Sequence, residues 1–384
     1  MTKRAATEAL LYALTQSYCR SQKKPAEMDI EFHYYIVYLI AARAGFEPSA
    51  AYKIAYSSQF VDNNVIGYEF NPGTPDAFKN YISQTYNILK PNNKLFRIYP
   101  LFHFIPGNIR EADSRKDGKL HYLTTTPGSE NARKILDAAV TSKNLYRIGI
   151  ACHAYADTWA HQNFVGYLEG FNARQTRPKT WFSKLFKYSW GWSITGHAAF
   201  KHSPDRVNKV WRDQRLISSR EERDNNVIFR EAAGSMFEVL WKAKHPNGSD
   251  EDMKTEKESL LNDIGNAMSA ESSEQRIKKY MALSEQEAYG REKLKEYDSY
   301  KWMTEATHEN LRALKSKGKH IIIKILLTWF CNTISFFNKY TWKDSGEYKE
   351  TDWFQFQEAV KEHQKKAAAI LNETEVGQLE PVNW

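Results

Sequence analysis

The chain has 384 residues, with 54 lysines and arginines against 46 aspartates and glutamates, a formal net charge of +8 that favours acidic partners such as phosphate esters, anionic lipid or nucleic acid. Its length, 42% hydrophobic content, 18 glycines and 12 prolines exclude a disulfide-stapled mini-protein, a disordered chain and a collagen-like or low-complexity one. Cys19, Cys152 and Cys331 form no CxxC pair, which argues against a disulfide framework and a thiolate zinc site and leaves the redox compartment open, leaning towards reducing.

From the N-terminus, residues 1–22 have a helical period and no apolar stretch followed by a cleavage site. The expectation is therefore a chain without a signal peptide, either cytoplasmic or exported without a cleaved leader. Apolar residues recur at three- and four-residue spacing over 5–18, 32–44, 75–89, 130–140, 145–164, 223–243, 274–297 and 353–371, each read as a helix. Turn signals such as Asn71-Pro-Gly-Thr-Pro, Ile105-Pro-Gly-Asn and Thr126-Pro-Gly-Ser separate them, and alternating strand patterns are scarce. The fold class is all-α, a multi-helix bundle with long loops and an elaborated C-terminal half. Residues 1–245 form a helical body. Residues 246–319, rich in Glu, Lys and Ser, form a charged helical insertion or hairpin, and residues 320–384 supply an apolar helix and a final helix that packs back on the body. The apolar run 321–337 carries Lys324, Thr328, Asn332 and Ser335 and falls short of the ~20 residues of a span, so a buried helix is favoured over a membrane-docking or spanning one.

The strongest local pattern is His153-Ala-Tyr-Ala-Asp157-Thr-Trp-Ala-His161 inside a helical segment. Positions four apart are offset by only about 40° on a helix, so two imidazoles and a carboxylate point the same way. Those are ligand types of a hydrolytic metal site, although a polar helix face around a satisfied Asp fits the same spacing. Weaker signals surround it: His33, with Asp29 one turn before it and Glu31 between; Asp62, which reads equally as a helix cap; His103 between aromatics; and His197, His202 and Asp205 ahead of a turn.

Taken in order as His, Asp, His, H-x3-D, His, His, the chain resembles the helical superfamily of zinc-dependent phospholipases C and P1-type nucleases. It also resembles an uncharacterised bacterial family sharing the phrases E/D-F-H-Y-Y, S-Q-x-V-D, H-F-x-P-G, H-x-Y-A-D-T-W-x-H and G-H with a later P-D, over most of residues 28–212 plus the final helix. The first resemblance implies one to three zinc ions held by His33, Asp62, His103, His153, Asp157, His161 and His197, with Asp62 and Asp157 also serving catalysis. It implies a terminal-residue ligand whose place Glu31 or Asp29 would fill, and a Glu four residues after the last histidine. Lys201 stands there instead, so His202 or Asp205 would substitute. Lys201 or Arg206 would hold a phosphate.

The activity so implied is that of a metal-dependent phosphodiester hydrolase, phospholipase C-like towards phospholipid headgroups. The stretch 174–192 interleaves cations with Trp181, Phe182, Phe186, Trp190 and Trp192, which suits peripheral membrane contact and, less well, single-stranded nucleic acid. A bacterial effector is a context that fits a lipid hydrolase without a leader. A P1-like nuclease and a non-catalytic helical interaction or toxin-associated protein are the alternatives.

Overall fold

A computed structural model describes residues 30–85, 97–173, 194–200, 202–308 and 339–383. The sequence expectations for residues 1–22, 174–192 and 321–337 lie outside these, as do Asp29 and Lys201. The chain divides into a larger unit, residues 27–61, 88–297 and 362–384, and a smaller one, residues 1–26, 62–87 and 298–361.

In the larger unit a π-helical turn, Glu31–Ile36, runs directly into α1, Val37–Arg43. Every side chain from Glu31 to Ala41 is buried, so this segment is core on all sides. Next come α2 (Pro48–Asn63), whose residues up to Val61 belong to this unit, and the short α3 (Ile98–Phe102). Helix α4 (Glu130–Thr141) starts where the Ser129 hydroxyl accepts from Ala132 N–H. Helix α5 (Leu145–Ala160) starts where Asn144 accepts from Tyr146 and Arg147 N–H. From Arg147 to Ala160 every residue of α5 is buried, the pattern of a helix packed on all sides. Small residues make that packing possible: a Cβ on Gly149 would come within 2.3 Å of the Ile54 carbonyl oxygen of α2.

Two antiparallel strand pairs follow, β3 (Leu168–Glu169) with β4 (Ile194–Thr195), and β5 (Val210–Arg212) with β6 (Glu222–Asp224). Helix α6 (Asn225–Lys244) is capped by Asp224 and packs on α5. Helices α7 (Asp250–Met268) and α8 (Ser273–Ser284), the latter opened by a Ser272/Gln275 capping box, carry the charged composition outward. They bury Leu260, Ile264, Ala267, Met268 and Tyr280. The helix expected over 274–297 stops at Ser284, whose hydroxyl accepts from Leu294 N–H as the chain turns back.

The smaller unit holds β1 (Glu69–Phe70), β2 (Phe78–Lys79), α9 (Lys301–Ala306), β7 (Lys339–Tyr340) and the first ten residues of α10 (Asp352–Asn372). Strand β1 lies between β2, antiparallel, and β7, parallel. Phe70 stacks on Trp342 at 4.0 Å, and Asn80 Nδ2 donates to the Ile66 carbonyl at 3.0 Å. These contacts overrule the helical spacing read over 75–89: its described part is a turn, β2 and irregular chain. The described residues are mostly helical, with three small sheets among them, consistent with the all-α class. Among the described residues no helix is long and apolar enough to cross a membrane.

Candidate metal centre

The buried faces of the larger unit converge on Asp157. His153 and Asp157 project from one face of α5, and His161 caps that helix, its N–H still bonded to the Asp157 carbonyl at 2.8 Å. His33 comes from the π-helical turn, a local geometry that widens one helical step and recurs at functional sites. His103 caps α3 at φ −132°, ψ −28°, turned out of the helix.

Four imidazoles surround the one carboxylate. His33 Nε2 lies 3.1 Å from Asp157 Oδ1, while His103 Nδ1, His153 Nε2 and His161 Nδ1 lie 3.1, 3.3 and 3.7 Å from Oδ2. His103 Nδ1 and His153 Nε2 are themselves 3.1 Å apart. The three atoms His103 Nδ1, His153 Nε2 and Asp157 Oδ2 thus form a triangle with sides of 3.1, 3.1 and 3.3 Å. A tetrahedral site with nitrogen and oxygen ligands ~2.0 Å from its centre has edges of ~3.3 Å. The donor set and its spacing both fit zinc.

A second group adjoins the first. His161 Nε2 is 3.2 Å from Asp205 Oδ1, and His197 Nε2 is 3.3 Å from Asp205 Oδ2. The two rings stack at 4.7 Å. His161 Nδ1 donates to the His103 carbonyl at 2.8 Å; a carbonyl only accepts, so the proton sits on Nδ1 and Nε2 is the atom presented to Asp205. His197 is placed by Gly196, whose φ of +53° and close approach to the Phe104 ring leave no room for a Cβ. Phe104 stacks on His161 at 4.3 Å, walling the pair with an aromatic face. His197, with its side chain 20% exposed, is the open edge of a centre whose other members are buried.

The electrostatics follow from this crowding. Burial alone would raise the Asp157 carboxyl, but His153 and His161 and the hydrogen bond from His103 hold it well below the usual carboxylate range. Burial, reinforced by His33, pushes His153 down to about 3, so its ring is neutral. Burial opposes charge on His161 as well, yet the Asp157 and Asp205 carboxylates raise it to about 9. A positive charge is therefore held between two carboxylates, in the place a cation would take. Asp205 is kept ionised by His197 and His161 against its burial.

The remaining sequence candidates are distributed as follows. Asp62 is buried in the last turn of α2, where its Oδ1 accepts from Gln84 Nε2 at 3.3 Å. Glu31 forms a buried two-bond ion pair with Arg276 of α8, at 2.7 Å for each bond. His202 sits half-buried in the turn leading to Asp205, and Arg206 is exposed beyond it. Sequence reasoning did not find the supports of the centre. His363 of α10 donates from Nε2 to the Leu101 carbonyl at 3.0 Å, two residues before His103, and its ring packs on Phe102. Arg215, fully buried, pairs with Asp213, donates to the Asn163 carbonyl at 3.0 Å and lies over the Phe164 ring at 3.7 Å, fixing the turn that follows His161. Neither carries a sequence signal, because the contacts span 52 and 262 residues of chain.

No curated protein and no solved structure matches this chain. A family model described as a family of unknown function, DUF6765, matches residues 28–371, spanning the π-helical turn, both ligand groups and all but the end of α10, and the chain belongs to that family.

Proposed function

We propose that the protein is a metal-dependent phosphodiester hydrolase of the zinc phospholipase C type, with a helical bundle of that class and at least two ions held around α5. The observation that carries the reading is the pair of adjoining donor groups, His103, His153 and Asp157, and His161, His197 and Asp205, joined through the His161–Asp157 contact. Imidazole nitrogen and carboxylate oxygen without thiolate suit zinc at a hydrolytic centre. Zinc would supply Lewis acidity, bringing the pKa of a coordinated water from ~15.7 to ~7 so that hydroxide is available near neutral pH.

The chain's own residues prepare this chemistry. Burial keeps His153 neutral and the surrounding histidines keep Asp157 ionised, the protonation states a ligand needs, while His161 would have to give up its Nε2 proton to bind an ion. The His103 carbonyl fixes the His161 tautomer, and Phe104 and Phe164 keep water from the flanks. Arg206 is assigned the role of holding the phosphate; Glu31, engaged by Arg276, is not a ligand in this reading. Substrate enters at His197, the open edge. A phospholipid is the proposed substrate, from the aromatic and cationic composition of residues 174–192.

A paired assay of untagged, zinc-loaded protein on short-chain phosphatidylcholine and on single-stranded DNA tests it. Release of phosphocholine is the expected result. Cleavage of DNA instead assigns a nuclease, and turnover of neither, with no zinc bound, assigns a structural role to the histidines.

A further inference from the structure

Three stretches of chain meet around His197, the open edge of the centre. Val165 bridges to Thr124 and accepts from Gly196 N–H at 3.1 Å, and β3 pairs with β4 two residues before His197. The loops that lead into Thr124 and out of Val165 therefore form the rim. Both are braced from beneath. Arg115 lies over the Phe171 ring at 3.9 Å, donates to the Phe171 carbonyl at 2.7 Å and grips both carboxylate oxygens of Asp117, whose Oδ1 also accepts from Lys119 N–H at 3.2 Å. Asn172 accepts from Val165 N–H and donates to the Val165 and Tyr167 carbonyls, at 2.9–3.0 Å.

This bracing holds apolar side chains out in water. His121 turns inward, its ring 5.5 Å from Phe171 and its Nδ1 accepting from Leu123 N–H at 3.0 Å, while its neighbours on both sides turn outward: Leu120 is 50% exposed and Tyr122 53%. Tyr167 is 37% exposed on the second loop, which reaches His121 through Glu169, 4.0 Å from Nε2. Tyr122 and Tyr167 are the only Phe, Tyr or Trp side chains so exposed among the described residues, and both stand on this rim. The rim is also positive. Residues 115–122 hold Arg115, Lys116 and Lys119 against Asp117, and the sequence joining Ala173 to Ile194 of β4 holds five Lys or Arg and no acid.

We propose that Leu120, Tyr122 and Tyr167 are an interfacial anchor that seats the open edge of the centre on an anionic lipid surface, with the tyrosine rings at headgroup level and Lys119 among the lipid phosphates. Exposed leucine and tyrosine among cations have the composition of such an anchor. A stable protein partner covers about 800 Å² on each side, far more than three half-exposed side chains on two loops offer. The proposal deepens the phospholipid reading by naming the surface that meets the bilayer, but the binding itself needs neither metal nor turnover.

Sedimentation of the full chain, stripped of metal, with vesicles of phosphatidylcholine alone or mixed with phosphatidylglycerol tests it. Binding to the mixed vesicles is expected to exceed binding to the neutral ones. The triple variant Leu120→Ser, Tyr122→Ser, Tyr167→Ser changes only exposed positions and should keep the wild-type melting temperature while losing at least about tenfold in partition to the mixed vesicles. Lys119→Glu should lose at least about fivefold there and nothing on neutral vesicles. A wild type that binds neither vesicle, or a triple variant that melts and partitions as the wild type does, overturns the proposal. So does a triple variant that loses affinity for single-stranded DNA and not for vesicles, since that makes the rim a nucleic-acid surface. A chain that binds vesicles through these residues yet releases no phosphocholine when zinc-loaded refutes the hydrolase reading and leaves the anchor standing. Equal turnover of short-chain, monomeric phosphatidylcholine by wild type and triple variant, with equal vesicle binding, keeps the hydrolase and refutes the anchor.

Discussion

Replacing Asp157 with Asn keeps the size of the side chain at the heart of the centre and removes its charge. In the metal-free protein the His161 imidazolium is held by two carboxylates, at 3.7 Å from Asp157 and 3.2 Å from Asp205. Removing one member of a buried charged group costs about 3–5 kcal/mol, and the ability of His161 to shed its proton puts the expected loss at the lower end, about 3 kcal/mol. The effect on zinc is larger in consequence. Loss of an outer partner of a ligand weakens a site by about 10–100-fold, and Asp157 is itself a corner of the donor triangle, so at least about 100-fold is expected. Zinc at about 100 times its wild-type dissociation constant stabilises the folded chain by about 2.7 kcal/mol, a rise in melting temperature of roughly 5 °C; a variant bound 100-fold more weakly gains about 0.4 kcal/mol, under about 1 °C. Differential scanning calorimetry of zinc-free wild type and Asp157→Asn, with and without added zinc, reads both terms. The variant should start lower and fail to respond. A zinc-induced rise equal to that of the wild type would refute the reasoning, as would a wild type that does not respond.

Three further outcomes are expected. Glu31→Gln breaks the buried pair with Arg276 and should cost about 3–5 kcal/mol in urea unfolding while leaving zinc stoichiometry unchanged; loss of metal at unchanged stability would make Glu31 a ligand after all. His363 is neutral in the fold because burial pushes it down to about 4 from its ordinary 6.5, so the unfolded chain takes up the proton first and stability falls as pH drops from 6.5 towards 4, by about 3 kcal/mol in full. Unfolding free energies at pH 4.5 and 7.5 should therefore differ less in His363→Gln than in the wild type, by about 2 kcal/mol, and identical slopes would exclude this origin. Gly149→Ala places a methyl 2.3 Å from the Ile54 carbonyl oxygen and 2.5 Å from Ser57 Cβ, and should destabilise by about 1–3 kcal/mol and lower zinc affinity by shifting α5; a neutral result in both measurements would mean that α2 yields freely.

The centre was more legible in the sequence than the fold around it. The H-x3-D-x3-H spacing needs only the geometry of one helix, so His153, Asp157 and His161 could be placed together before any tertiary contact was known; α5 carries the first two on one face and His161 caps its end. His33, His103, His197 and Asp205 each have a local reading as packed or capping residues, and only the resemblance to a ligand order joined them; the structure brings all four to the α5 face. The π-helical turn that aims His33 has no composition signal, since Glu31-Phe-His-Tyr-Tyr-Ile satisfies ordinary helical spacing. Strand β2 departs from its helical period for a related reason. Residues 75–89 have the apolar period of a helix, but their partners, Asn64 and the strand β1 that β7 also pairs, are set by chain up to 270 residues away, which no local pattern reports. The helix read over 274–297 ends early because Ser284 closes a return contact with Leu294, again invisible in the period. Long, strongly periodic segments such as α4, α6 and α10 were located closely because burial of one face suffices to define them.

The most direct test of the central claim is an anomalous-scattering map at the zinc edge from crystals of untagged protein. The account predicts one peak bonded to His103 Nδ1, His153 Nε2 and Asp157 Oδ2 and a second bonded to His161 Nε2, His197 and Asp205, with matching zinc stoichiometry in solution. A map without peaks at these side chains, from protein that takes up no transition metal, would contradict it.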